Sequence, residues 1–269
     1  MRHFPRMAVF VVSASIASGA AWSFVAPASA APQGQFSFLE ALPGSSVDVY
    51  IDGKLTLDNI EPGTLAGPTP LAVGQHLIKV TDPVDRSKVI GTAFTLDVVA
   101  ASNQTVVVHE SATGMPVLTA YDNDLGPVHA GQARLTVRHV AAAGPVAVSA
   151  SPTLVITPSL ANPDQKVATV KRGNYTIGVK PASGGADLVS TLMPVPTRAS
   201  TIVYVWGDAK AGVKLAVQTI SGLGVMPIRV PAGEAGLAND SPAMPLWVML
   251  GSLLGLAIAG VSFMRFRQL

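Results

Sequence analysis

Four histidines lie beyond the first thirty residues: His76, His109, His129 and His139. None belongs to an H-E-x-x-H or H-x-H pattern, so no helix face or strand presents two imidazoles to one metal ion. His109-Glu110 has no second histidine four residues on. His139 alternates with Leu135 and Val137 and is expected to face a core. The densest acidic cluster is Tyr121-Asp122-Asn123-Asp124. Asp122, Asn123 and Asp124 supply hard oxygen ligands of the kind calcium takes, but the rest of a calcium loop is missing. An exposed Asx turn is the plainer expectation. There is no nucleophile elbow, no Walker loop and no dinucleotide fingerprint. The chain has no cysteine, which excludes thiol catalysis, disulfides and cysteine-based metal centres. No cofactor and no catalytic residue is expected.

The remaining chemistry-bearing residues are aromatic or amidic. Tyr204 and Trp206 share one side of a strand, and Tyr50 sits on another. Such rings serve a sugar or partner platform when exposed, and a core when the strand is central. Central placement is the expectation here. Asn103-Gln-Thr105 and Asn174-Tyr-Thr176 match the glycosylation sequon, which matters only in a eukaryotic secretory pathway.

These residues must be carried by strands. Charged residues are 13% of the 269, well below the roughly 25% of soluble domains. Helix-favouring Glu, Lys and Arg are scarce, and β-branched residues are common. From about residue 33 to 228, short apolar runs alternate with Gly, Pro and Asp turns. Expected strands in the first half are Gln35–Glu40, Val47–Ile51, Lys54–Asp58, Gln75–Thr81, Val89–Val99, Gln104–Glu110 and Pro116–Tyr121. Asp52-Gly53 is a two-residue hairpin signal. A strict two-residue loop would put Leu55 and Leu57 on the face of Asp48 and Tyr50, so either a bulge shifts the register or both faces are covered.

The second half repeats the first with an offset near 99 residues. Val73-Gly-Gln-His-Leu-Ile-Lys-Val80 corresponds to Arg172-Gly-Asn-Tyr-Thr-Ile-Gly-Val179. Thr105-Val-Val-Val-His109 corresponds to Ile202-Val-Tyr-Val-Trp206. The expected fold is therefore all-β, with two tandem immunoglobulin-like β-sandwich domains over 33–130 and 131–221 and one C-terminal transmembrane helix.

Both ends are apolar. Residues 1–30 read as a secretory signal, with Arg2 and Arg6 ahead of an uncharged stretch and Ala28 and Ala30 at the cleavage positions. Residues 222–244 form a Gly/Pro/Ala-rich stalk with a reach of roughly 26 Å as a random coil. Leu246 to Phe263 carries no charge and would span roughly 27 Å as a helix, close to a bilayer's hydrocarbon core. Arg265 and Arg267 follow, which places that end in the cytoplasm. The expected span is 245–264, with 265–269 as a cytoplasmic stub. Gly251 and Gly255 form a G-x-x-x-G pair suited to weak helix dimerisation. Setting aside the four arginines at the two ends leaves 14 basic against 16 acidic residues, a formal charge of −2. That balance is unlike a nucleic-acid binder.

The stretch Leu39-Glu-Ala-Leu-Pro-Gly-Ser-Ser-Val-Asp-Val-Tyr-Ile-Asp-Gly53 resembles the bacterial family called domain of unknown function 4397. Its members typically carry a strand ending in Val-His-Ala-Ser-Pro-Asp-Ala-Pro, then Val-Asp-Val-Tyr-Val-Asp-Gly. Pro70 to Val80 looks like a later strand of that family, and Ala133-Arg-Leu-Thr-Val-Arg-His139 looks like its opening strand. Glu40 takes the usual histidine position in the first half, and Val146-Ala-Val-Ser-Ala-Ser151 departs from the Val-Asp-Val-Tyr motif in the second. The resemblance implies an exported sandwich-like module and no specific chemistry.

The functional expectation is an exported, membrane-anchored cell-surface protein, a non-enzymatic binding or structural module of the cell envelope. Its expected partners are the lipid bilayer and an envelope protein or polysaccharide, with no nucleic acid. The alternatives are an exported hydrolase with a dispersed active site, and an accessory subunit of a membrane complex.

Overall fold

Sixteen strands and no helix make up the computed structural model, which describes residues 31–150 and 153–224. The first eight are β1 (Gln33–Ala41), β2 (Val47–Ile51), β3 (Lys54–Ile60), β4 (Leu65–Ala72), β5 (Gly74–Thr81), β6 (Phe94–Val98), β7 (Asn103–Glu110) and β8 (Pro116–Asp122). They form two four-stranded sheets, in the orders β4-β1-β7-β8 and β3-β2-β5-β6. β1 and β7 run parallel, and the other pairings in these sheets are antiparallel.

The next eight are β9 (Gln132–His139), β10 (Val146–Ala150), β11 (Leu154–Leu160), β12 (Gln165–Lys171), β13 (Gly173–Pro181), β14 (Val189–Val195), β15 (Ser200–Asp208) and β16 (Gly212–Ile220). Their sheet orders are β12-β9-β15-β16 and β11-β10-β13-β14. Each is the first-half order advanced by eight strands, and β9 again runs parallel to β15.

The immunoglobulin order expected from sequence is not the one found. That order places the first two strands side by side in one sheet. Here β1 and β2 belong to opposite sheets, and β1 sits between β4 and β7. Hydrophobic alternation fixes which side chains point inward, and it carries nothing about which strand lies alongside.

β4 is a strand that the sequence reading omitted. Gly67, Pro68 and Pro70 break its pattern, yet proline is tolerated on an edge strand, where half of the backbone groups face away from the ladder. The expected strand Val89–Val99 shortens to β6, because residues 89–93 belong to the incoming loop. At Asp52-Gly53 both φ angles are positive, 52° and 79°, as the tight hairpin turn requires. Tyr50 pairs with Leu55, and the register then shifts so that Val49 faces Leu57 and Val47 faces Ile60. Bulges therefore return Leu57 to the core face.

Three apolar layers result. Phe36, Phe38, Val47, Val49, Ile78 and Val106 fill the first sandwich. Leu135, Val137, Val148, Ile177, Val179 and Val203 fill the second. A third layer joins the halves, where Leu39, Val107, Tyr121, Ile202, Tyr204 and Trp206 interlock between the equivalent sheets. This explains the apolar run Val106–Val108 within β7, a strand buried on both faces. Gly63 is required at that junction: its φ is +84°, and a Cβ there would meet the Trp206 ring at 2.7 Å.

The described chain starts and stops at one end of the molecule. Ala101 N–H donates to the Gln33 carbonyl, Asn123 N–H donates to the Asn103 carbonyl, and Val128 pairs with Gly224.

Candidate functional site

Strand alternation scatters the acidic cluster. Asp122, closing β8, accepts from Gln104 Nε2 at 2.8 Å. Asn123 turns inward and donates through Nδ2 to Asn103 Oδ1 at 2.6 Å and to Thr105 Oγ1 at 2.9 Å. Asp124 accepts the Gly126 N–H at 2.7 Å and pairs with Arg134 Nε at 3.0 Å. Consecutive side chains thus serve three separate partners, and among the described residues no cluster of His, Asp and Glu is arranged to hold a metal ion. Of the two sequons, Asn103 is buried and Asn174 is exposed.

The histidines divide by environment. His76 Nδ1 lies 2.7 Å from Asp52 Oδ2, and its Nε2 lies 2.9 Å from the Ala72 carbonyl. Both partners are acceptors, so the ring satisfies both only as the imidazolium. Burial depresses its pKa, but the bonds to Asp52 and Ala72 and the Asp52 charge outweigh that, leaving it above the ordinary value. His109 and His139 are fully buried. His109 donates to the Glu110 carbonyl at 2.8 Å and meets Thr119 Oγ1 with its other nitrogen. His139 donates through Nε2 to the Gly144 carbonyl at 3.2 Å and accepts the Ala141 N–H through Nδ1 at 3.4 Å. Burial pushes both pKa values down, which keeps them neutral.

Glu40 occupies the strand position equivalent to His139 and does the same task. Its carboxyl accepts the Leu42 N–H at 2.8 Å, two residues on, as His139 serves Ala141. Full burial pushes its pKa up to about 8, with the Leu42 N–H pulling the other way. The acid is therefore neutral through most of the physiological range.

The Val47–Gly53 motif has a structural purpose. Asp48 is fully buried beneath the 82–92 loop. It accepts the Asn59 N–H at 2.8 Å and the Arg86 Nε at 2.9 Å. Asn59 is a bulge residue with φ of +51°. Asp48 thus pins the bulge that sets the β2–β3 register, and Arg86 clamps the loop across the sheet, reaching Asp58 as well. Ala147 stands at the equivalent place in the second half, where the motif departs.

The largest buried polar assembly crosses the boundary between halves. Arg138, 1% exposed, donates to Tyr204 Oη at 2.7 Å, Gln165 Oε1 at 3.0 Å and the Asp122 carbonyl at 3.3 Å. Tyr204 and Thr105 both donate to Gln218 Oε1, at 2.7 and 3.1 Å. Tyr121 Oη donates to the Pro163 carbonyl, and Asn162 Nδ2 to the Glu110 and Ala141 carbonyls. Tyr204 and Trp206 are accordingly junction residues. Tyr50 instead faces outward with Lys79 4.9 Å above its ring.

Sequence reasoning missed Arg138 and the burial of Asp48 and Glu40. On β9, Arg138 alternates with apolar Leu135 and Val137, so a single sandwich would leave it in solvent. The apolar runs Val106–Val108 of β7 and Ile202–Trp206 of β15 were the available signal that the outer faces of these sheets are covered. A cavity of about 590 Å³ opens between β6 and β8, and one of about 500 Å³ lies toward the opposite end of β8.

Ala28, Ala30, Gly251 and Gly255, with the expected signal, the expected span and all but the start of the expected stalk, lie outside the described residues. Among the described residues no helix is long and apolar enough to cross a membrane. No curated protein matches the chain. Residues 34–149, covering the first sandwich and running into β10, match the family model described as Domain of unknown function (DUF4397), and this segment is similar to that family.

Proposed function

We propose that the protein is an exported, membrane-anchored module of the cell envelope that binds a partner or spaces other components and catalyses no reaction. The observation that carries this reading is that Gln33 and Gly224 lie at one end of the molecule. A tether continuing from Gly224 through the uncharged run Leu246 to Phe263 holds the opposite loops away from the lipid. The junction network gives the module stiffness, because a buried, satisfied set of hydrogen bonds fixes one arrangement of the halves. The commitment of His109 and His139 to backbone and hydroxyl partners favours a structural over a general-base role.

The absence of cysteine makes the test clean. Single cysteines are introduced as Ser111→Cys and Gln268→Cys, and intact cells are treated with a membrane-impermeant maleimide. The reading expects labelling at position 111 alone, with the full-length chain in the membrane fraction after carbonate washing. Labelling at position 268 in intact cells, or full-length chain free in the cytosol, contradicts it.

A further inference from the structure

Each sandwich has a side where edge strands of its two sheets face each other. In the second half those edges, β14 and β16, are in contact. In the first half β6 and β8 are not joined as extensively, and cavities of about 590 and 500 Å³ lie beside β8, one toward each of its ends. The difference begins in strand length, since β6 has five residues and its equivalent β14 has seven. Leu118 and Ala120 of β8 are left only half-buried against the core.

The seam has a definite chemistry. Phe94, Leu96 and Ala120 give the larger cavity an apolar floor. Asp97 and Asp122 line it, no lysine or arginine does, and among the described residues no cation pairs with either acid. Two acceptors of its lining residues, Gln104 Oε1 and Asn123 Oδ1, are buried and accept no hydrogen bond. Among the described residues β8 is paired with β7 alone, so its other edge presents unpaired backbone groups beside the larger cavity.

We propose that this seam receives an extended peptide segment of a partner protein, which adds to β8 as a further strand and sets a basic side chain beside Asp122. Main-chain bonds to the β8 edge would give affinity, and alternate side chains in the apolar floor and at the acidic end would give selectivity. A peptide fits better than a compact ligand because the open edge of β8 runs beside the larger cavity. The proposal rests on the binding role given above, and its test leaves topology aside.

The probe is a fluorescent, N-acetylated peptide of alternating valine and threonine with one lysine, and a copy with glutamate in its place. Both are titrated into the full-length protein in detergent at low salt. The proposal expects saturable binding of the lysine peptide, about tenfold weaker binding of the glutamate peptide, and slowed amide exchange in β8. Asp122→Lys is expected to reverse the preference, and Ala120→Trp to abolish binding while the thermal transition is kept. Equal binding of the two peptides, unchanged exchange in β8, or an unaltered preference in Asp122→Lys overturns the proposal. So does competition by N-acetyl-lysine amide as effective as that of the whole peptide, which would mark a site for a small cation.

Discussion

The guanidinium of Arg138 stacks 4.3 Å from the ring centroid of Tyr121, across the boundary between the two sandwiches. The Tyr204 ring centroid lies 5.4 Å from the same group. Its hydrogen-bond acceptors are a phenol, an amide and a backbone carbonyl, and none is a carboxylate. A buried charge without a counter-ion is costly, so its retention reflects geometry more than stability.

Arg138→Met is therefore expected to change stability little, because it removes the charge and nearly preserves the volume. Tyr204→Phe is expected to cost about 2 kcal/mol, because Arg138 and Gln218 each lose a buried partner. Denaturant titration of both variants and their double mutant checks this. The Tyr204→Phe penalty should shrink in the Arg138→Met background.

Glu40 gives the chain an unusual pH dependence. Its folded pKa of about 8 lies above the ordinary 4.5, so between those values the folded state holds a proton that the unfolded state has released. Its contribution is full below pH 4.5 and is lost as pH rises through 8, falling by about 1.4 kcal/mol per pH unit across that window. Glu40→Gln is expected to flatten this slope, as followed by melting temperature from pH 5 to 9. Glu40→His, which copies the second half, should also fold. His109 and His139 act in the opposite sense, since their lowered pKa values contribute stability that is lost in acid.

Much of this arrangement was legible in the residues. The strand and turn order that recurs at an offset near 99 residues reappears as a repeat of sheet order. The Asp52-Gly53 turn and its accompanying bulge follow from the apolar residues that had to reach the core. The outer faces of β7 and β9 were less legible. Val107 and Arg138 lie in equivalent sheets and both are buried, one apolar and one charged, because another sandwich covers them. Local pattern reports what a strand needs, and a partner surface far along the chain can satisfy a polar residue as well as an apolar one. Asp48 was visible as part of a motif, but its acceptance of Asn59 N–H depends on a bulge that only the folded register reveals.

Asp48→Ala is expected to cost about 2 kcal/mol by stranding the Asn59 N–H in the β2–β3 register. Arg86→Ala, whose side chain is half exposed, should cost less than about 1 kcal/mol. Chemical denaturation separates the two, and amide exchange at Asn59 should quicken only in Asp48→Ala.

Gly63→Ala is expected to destabilise by about 2 kcal/mol or more, through its positive φ and the Trp206 ring. Trp206→Ala should cost about 4 kcal/mol from the cavity it leaves. The combination should cost less than the sum, because the cavity accepts the added methyl group.

The proposed spacing role needs the two sandwiches to hold one arrangement. Spin labels on Lys54→Cys and Thr191→Cys, one in each half and both exposed, report it through their distance distribution in the full-length protein. The junction geometry predicts one narrow peak that persists in 1 M salt. A broad or multi-peaked distribution would mean that the halves move independently, contrary to the welded junction of Arg138, Tyr204 and Gln218.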